Sequence, residues 1–356
     1  MSDSELTYWI AFTSLLRNRL PQQWEIWKHF GSIESAWNNL REEGMQEAWD
    51  KAQKEVAFIH KHGIEVVTIQ DEAYPFRLRE CVDAPLVLYV KGKVNLNEGK
   101  FLSIVGTRGA SERGKDLTRK LVLDLSRKVD NLTIVSGLAY GIDVAAHKAA
   151  LEAGLPTIIV PGHGLDRIYP LPNRQVAVEA LKNGGLVTEY PSEIEPEGFR
   201  FVERDRIIAA LSDATVVVES KARGGSLITA SDAFDYNRSV FAFPGRPEDI
   251  NSQGCNQLIR DQKAALIENA DDLINAMMWD TKTAERQLAM AELEEGIDPL
   301  AIELLQHMRG KEEDIHINQL VMEVDGSYQE VVAQMTFLEM MGYVRAIPGG
   351  FYHVNK

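Results

Sequence analysis

From Phe101 to Phe243 the sequence alternates short apolar runs with amphipathic stretches, and few folds can accommodate that alternation. The apolar runs predict strands at 101–105, 132–135, 156–160, 186–189, 214–218 and 239–243. Helical spacing fills the intervals near 112–128, 141–153, 173–183, 200–211 and 226–237. Such a chain is expected to build an α/β, doubly wound sheet. Ligands of that architecture sit beyond the carboxyl ends of the strands.

Those ends share an unusual composition. The first strand leads into Gly106, Thr107, Arg108 and Gly109, the second into Ser136, Gly137, Leu138, Ala139, Tyr140 and Gly141, and the third into Gly162, His163 and Gly164. The fifth leads through Glu219 and Lys221 to Gly224, Gly225, Ser226 and Thr229, and the sixth ends at Pro244 and Gly245. A glycine turn that opens a helix aims unpaired amides at one spot, which favours an anion. Any one of these glycines could serve turn geometry alone. Five such turns on one rim point to a phosphate site.

The type of phosphate ligand is narrowed by what the turns lack. A dinucleotide would call for Gly-x-Gly-x-x-Gly and an acidic residue about 20 positions later, whereas the next strand here ends in Ser136. No Gly-Lys-Ser/Thr follows a glycine loop, so an ATP site is not expected, nor is any cofactor. Asp143, Asp166, His147 and His163 lie near the turns, but no nucleophile motif accompanies them. Asp143 is expected to cap or charge-balance its helix, His147 to be packed, and no metal site is expected.

Arginine and aromatic residues are more informative. Arg108 sits in the first turn, and Arg204 and Arg206 open a helix behind Phe199 and Phe201. Arginines at i and i+2 point to different faces, so one can address phosphate while the other ties down the fold. Rings beside arginine suit unpaired bases, although at least one of the two phenylalanines is expected in the core.

The flanks differ from this middle. Residues 4–62 read as short helices whose tryptophans, at helical spacing, are expected to form core, and strands are expected at 64–68 and 86–90. The net charge of -15 is unevenly spread: residues 101–246 hold 18 basic and 18 acidic side chains, but 247–356 hold 8 and 20. A polyanion site would therefore lie in the middle and use a few aimed groups. Met1 to Glu5 lacks the features of a secretory signal, no run suggests a membrane span, and Cys81 and Cys255 are too few for a disulfide framework. A cytoplasmic location is expected.

In order along the chain, Ser103 to Arg108, Ser136 to Asp143 with His147, Gly162 to Asp166 through Tyr169 and Pro170 to Asn173, Gly225 to Ala230, Pro244 and Gly245, and Gly254 to Ile259 form a set. This ordered set resembles the DNA-processing protein A (DprA/Smf) family, and Tyr74, Pro75 and the stretch from Pro85 to Gly92 extend the match. The resemblance implies an extended Rossmann-like domain that binds single-stranded DNA during natural transformation, protects it and promotes RecA loading. It also implies a homodimer formed through that domain, and no enzymatic activity. Carried over, the DNA-binding residues are Gly106, Thr107, Arg108, Ser136, Gly137, Ala139, Gly141, Gly162, Gly164, Phe201, Arg204, Arg206, Lys221, Gly225, Ser226 and Thr229, with Phe201 stacking on a base.

The alternative is a nucleotide- or nucleoside-processing enzyme on a related fold, for which Glu219 or Asp143 would supply the carboxylate. Two departures from the family's pattern stand out. Asp205 replaces the usual asparagine between Arg204 and Arg206, and the stretch from Arg17 to Gln23 lacks hairpin glycines. The expected organisation is an N-terminal helical domain, sterile-alpha-motif-like or helix-hairpin-helix-like, over 1–65; the Rossmann-like domain over 66–277; an acidic linker over 278–297; and a winged helix over 298–356. The last segment has 4 basic and 9 acidic side chains, which favours contact with protein over phosphate.

Overall fold

The structure is a computed structural model that describes residues 1–279, 298–309, 314–347 and 349–354. The chain divides into two compact units between residues 281 and 282. The linker expected at 278–297 lies, from residue 280 on, outside the described residues.

The first unit opens with helices α1 (Asp3–Leu15), α2 (Leu20–Phe30), α3 (Ile33–Asn39) and α4 (Met45–His62). Ser2 and Ser32 cap α1 and α3 by accepting the amides of Glu5 and Ser35. Gly31 and Gly63, both left-handed, end α2 and α4. Trp9, Phe12 and Trp37 are buried in an apolar cluster that continues into the sheet through Val87 and Tyr89. These tryptophans are core, as their spacing predicts. The helices thus share a core with the sheet, and the boundary expected at residue 65 falls where α4 gives way to the first strand.

The sheet contains β1 (Glu65–Thr68), β2 (Val87–Gly92), β3 (Lys100–Val105), β4 (Leu132–Ser136), β5 (Thr157–Ile159), β6 (Gly185–Thr188), β7 (Ala214–Val217), β8 (Ser239–Ala242) and β9 (Ala265–Leu266). Their order is β1-β2-β6-β5-β4-β3-β7-β8-β9. Neighbours from β6 across to β9 are parallel, whereas β2 runs antiparallel to both β1 and β6.

Between the strands run α5 (Phe76–Arg79), α6 (Glu112–Lys128), α7 (Ile142–Glu152), α8 (Arg174–Asn183), α9 (Gly198–Ala210) and α10 (Ser226–Asp235). The apolar strand runs follow from burial of both sheet faces. Ile104, Ile134 and Val216 join the cluster that includes Leu121 and Leu125 of α6, while their neighbours Val105, Val135 and Val217 join the cluster that includes Ile207 and Ile208 of α9. The chain steps outward from β3 to β6 and then returns to β7 on the other side of β3. The carboxyl ends of β3 and β7 therefore flank the topological switch point, where such sheets open a crevice.

The second unit has helices Pro299–Arg309, Ile317–Glu323 and Tyr328–Met340, and strands β10 (Ile315–His316), β11 (Val344–Ile347) and β12 (Phe351–Val354). The strands form an antiparallel sheet of order β10-β12-β11. Leu304, Leu320, Val331 and Leu338 are buried in its own core. This is the element order expected of a winged helix. Among the described residues, no helix is long and apolar enough to cross a membrane.

Candidate nucleic-acid interface

A cleft of about 390 Å³ opens at the switch point. It is lined by Gly106, Thr107, Arg108 and Gly109 after β3, by Lys221, Gly224, Gly225 and Ser226 after β7, and by Phe201, Arg204 and Asp205 of α9. Ala139, Asp143 and Thr229 complete the wall. Ten of the sixteen residues expected at the site therefore line one cavity. The N-terminus of α10 begins within it at Ser226, so its first amides lie at the cleft wall.

Two cations stand on the rim. Arg108 and Lys221 are exposed, and neither makes an ion pair among the described residues. Arg108 lies over the ring of Phe201, 5.4 Å from its centroid. On the same ring stacks Tyr169, with centroids 5.6 Å apart and planes 25° from parallel. Tyr169 was not among the expected site residues. Its only sequence signal is an aromatic placed between a glycine turn and Asn173. A buried histidine holds it in place: His163 Nδ1 donates to the Gly164 carbonyl at 2.8 Å, which leaves Nε2 to accept the Tyr169 amide at 3.2 Å. Burial lowers the His163 pKa, consistent with this neutral tautomer.

Arg204 and Arg206 of α9 have structural roles. Arg204 is buried; its guanidinium donates to the Gly137 carbonyl at 2.8 Å and also to the Val160 carbonyl, and it pairs with Asp205 at 3.1 Å. Arg204 also touches the cleft, with its Nε and Nη1 committed to the fold. Arg206 does not line the cleft: it pairs with Glu189 at 2.6 Å and donates to the Asp83 carbonyl at 3.0 Å. The two residues do point to different faces, as the i and i+2 spacing requires, and both tie down structure. Asp205 is partnered by Arg204, yet burial pushes its carboxyl up to about 7.

Ser136, Gly137, Gly141, Gly162 and Gly164 also lie outside the cleft lining. The Ser136 hydroxyl is buried and donates to the Ile104 carbonyl at 2.7 Å. A Cβ on Gly137 would collide with the Arg204 guanidinium. Gly141 has a φ of +80° and packs against the Thr107 carbonyl, so both chirality and space exclude a side chain there. Burial raises the Asp143 carboxyl above the usual aspartate range, while Arg204 and the nearby Ala139 and Gly137 amides oppose the rise. The amides expected to face a phosphate there lie near a buried carboxylate instead.

The remaining candidates for chemistry are also engaged. His147 is buried, with Nδ1 2.7 Å from the Thr157 hydroxyl, and desolvation lowers its pKa to about 3. Glu219 accepts the Ser111 amide at 2.9 Å and the Ser111 hydroxyl, binding the start of α6 to the end of β7. Among the described residues, no group of three or more His, Cys, Asp or Glu side chains is placed to hold a metal ion.

The family model of DNA recombination-mediator protein A matches residues 65–278. The chain is 37% identical over 234 residues to the DNA processing protein DprA of Bacillus subtilis, covering 65% of this chain and 78% of the relative. It is 32% identical over 296 residues to protein Smf of Escherichia coli, covering 82% and 78%. The structure of Streptococcus pneumoniae DNA processing protein A superposes with a TM-score of 0.66 at 32% identity, covering 77% of this chain and 98% of that one. A Helicobacter pylori homologue, described as having a unique single-stranded DNA binding mode, superposes with a TM-score of 0.54 at 30% identity, covering 60% and 95%. With that match over most of the α/β unit and motifs meeting at one switch-point cleft, the chain belongs to the DNA recombination-mediator protein A family.

Proposed function

We propose that this protein binds single-stranded DNA in the switch-point cleft, protects it during natural transformation and promotes RecA loading, as a cytoplasmic homodimer joined through its sheet domain. The observation that carries the reading is the pairing of unengaged cations with an aromatic column. Arg108 and Lys221 flank the cleft without ionic partners among the described residues, and Phe201 with Tyr169 offers ring surface between glycine turns. Cations that track a backbone and rings that take bases of any sequence are the two components of single-strand recognition. The single-stranded DNA binding described for the Helicobacter pylori homologue supports the same assignment.

A binding role, in preference to catalysis, is supported by the state of the two carboxylates that a nucleoside-processing enzyme would use. Glu219 already holds the Ser111 amide and hydroxyl, and Asp143 is buried beside the Gly137 and Ala139 amides. The acidic C-terminal unit, which exposes Tyr328, Phe337, Met340 and Met341, serves as the protein-contacting module in this reading.

The test is fluorescence anisotropy of the full chain with labelled single-stranded and duplex oligonucleotides of equal length, run beside incubation with nucleoside monophosphates and chromatography. Selective single-strand binding and no released base are expected. Equal affinity for duplex would defeat the cleft assignment, and steady release of base would defeat the non-enzymatic reading.

A further inference from the structure

A second cleft lies on the other side of α9, in the seam between the N-terminal helices and the segment that follows β6. One part, of about 950 Å³, is lined by Arg17, Lys54 and Glu55 on one side and Tyr190, Ser192, Phe199 and Arg200 on the other. A smaller part, of about 220 Å³, continues inward past Arg17 to Glu189 and Arg206.

Polar groups around this seam lack partners. The Arg17 side chain makes no hydrogen bond or ion pair among the described residues, although burial is strong enough to lower its pKa. The Arg200 charge acts in the same direction, while Tyr89, Tyr190 and Glu189 oppose it. Near Arg17, the Tyr89 hydroxyl, the Arg200 Nε and the Glu189 Oε1 are all buried and unpaired. Buried polar atoms are seldom left this way, and among the described residues the unpaired donors of this cluster, on Arg17, Arg200 and Tyr89, outnumber its one unpaired carboxylate oxygen, Glu189 Oε1.

Glu197 takes one Arg200 donor, and most other carboxylates of the seam are held elsewhere. Glu55 accepts the Ser192 amide at 2.9 Å and its hydroxyl, Glu203 accepts the Tyr190 hydroxyl at 2.9 Å, Glu47 pairs with Lys51 at 2.6 Å, and Glu189 gives its other oxygen to Arg206 at 2.6 Å. The Arg17 guanidinium, unpartnered among the described residues, faces the same cavity as Arg200, whose Nη2 pairs with Glu197 at 3.0 Å while its Nε stays unpaired, and arginine donates to a tetrahedral oxyanion in parallel pairs.

We propose that the Arg17 and Arg200 seam is a phosphate-binding site, distinct from the switch-point cleft. The phosphate can come from a free nucleotide or from the phosphodiester of a strand that leaves the first cleft. The two clefts lie on either side of one turn: Gly162 packs against both the Arg200 backbone and the Phe201 ring, and Phe201 lines the first cleft while Arg200 lines the second. A strand path would therefore pass the helix start at the exposed ring of Phe199, over which the Arg200 guanidinium lies 4.9 Å from the centroid.

The experiment uses the full chain and its Arg17→Gln, Arg200→Gln and Arg108→Ala variants, with folding checked by thermal melts. In one arm, inorganic phosphate and thymidine monophosphate are titrated by calorimetry. In the other, oligothymidylates of about 6 and about 20 nucleotides are titrated across a salt series. The site predicts at least one phosphate probe whose affinity falls about tenfold in both Arg17→Gln and Arg200→Gln. Loss confined to the mononucleotide identifies a free nucleotide as the source. Loss confined to the longer oligonucleotide, with a salt slope smaller by about 0.7, identifies a strand. The proposal does not need the first cleft to bind DNA, because Arg108→Ala reports on that cleft separately. Folded Arg17→Gln and Arg200→Gln proteins that match the parent with every probe would overturn it, and would leave the seam a hydrated gap.

Discussion

The guanidinium of Arg204 donates to the carbonyl oxygen of Gly137, 2.8 Å away and 67 positions earlier in the chain. Through that bond the middle of α9 is tied to the turn after β4, beside the buried Asp143 carboxyl. The charge is buried, so its removal leaves the Gly137 and Val160 carbonyls and Asp205 without their donor. Arg204→Ala is expected to cost about 3 kcal/mol of unfolding free energy. Urea denaturation measures this, and an unchanged midpoint would show that the contact contributes little.

Arg108 is expected to behave in the opposite way. It is exposed and holds no ion pair among the described residues, so Arg108→Ala should leave the melting temperature almost unchanged. Its loss should weaken oligonucleotide binding and reduce the salt slope by about 0.7, the value of one released phosphate contact on a single strand. Titration at several salt concentrations separates this outcome from a fold defect, and an unaltered slope would remove Arg108 from the site.

Tyr169 extends the column that begins with Arg108 and Phe201, and it is exposed while Phe201 is only partly so. A base stacked on such a ring contributes roughly 1–3 kcal/mol. Tyr169→Ala should therefore weaken binding of a base-bearing oligonucleotide by about tenfold or more, and Tyr169→Phe should preserve it. An abasic oligonucleotide makes the control. Equal losses on abasic and normal strands would point to a shifted loop and not to stacking.

Asp205 makes part of the stability depend on pH. Burial raises its carboxyl to about 7 in the fold, with Asp143 and Asp232 adding to the rise and Arg204 and Arg108 opposing it. In the unfolded chain the same group ionises at about 4. Between these values the folded state keeps a proton that the unfolded state has released, so this group's contribution falls as pH rises from about 4 to about 7. Asp205→Asn, which removes the titrating carboxyl at nearly constant size, should flatten that part of the curve and raise the melting temperature at pH 8. Because Asp205 lines the cleft, the variant should also bind oligonucleotides more tightly at pH 8. Superimposable melting curves for the two proteins from pH 5 to pH 8 would contradict this account.

Each of the six strands expected in the central region appears within one residue of its expected ends, from β3 to β8. They were legible because burial on both faces demands unbroken apolar runs. The short β9 and helix α11 (Gln253–Arg260) gave no such signal, since β9 has only two residues and both are exposed. Site residues were less legible than strands. Arg108, Arg204 and Arg206 are the same residue type, and their different roles depend on whether a carbonyl or carboxylate from a distant segment lies within reach.

By itself, the sequence determined the alternating architecture, the rim on which the glycine turns gather and the uneven distribution of charge, because these follow from local periodicity and composition. Only the tertiary structure decided which glycine turns face solvent, which arginines remain available and that Tyr169 lies on Phe201. The physical reason is that a polar group's role depends on its partners. Gly137, Val160 and Glu189 come to the arginines of α9 through the folding of the sheet, not through proximity in the chain.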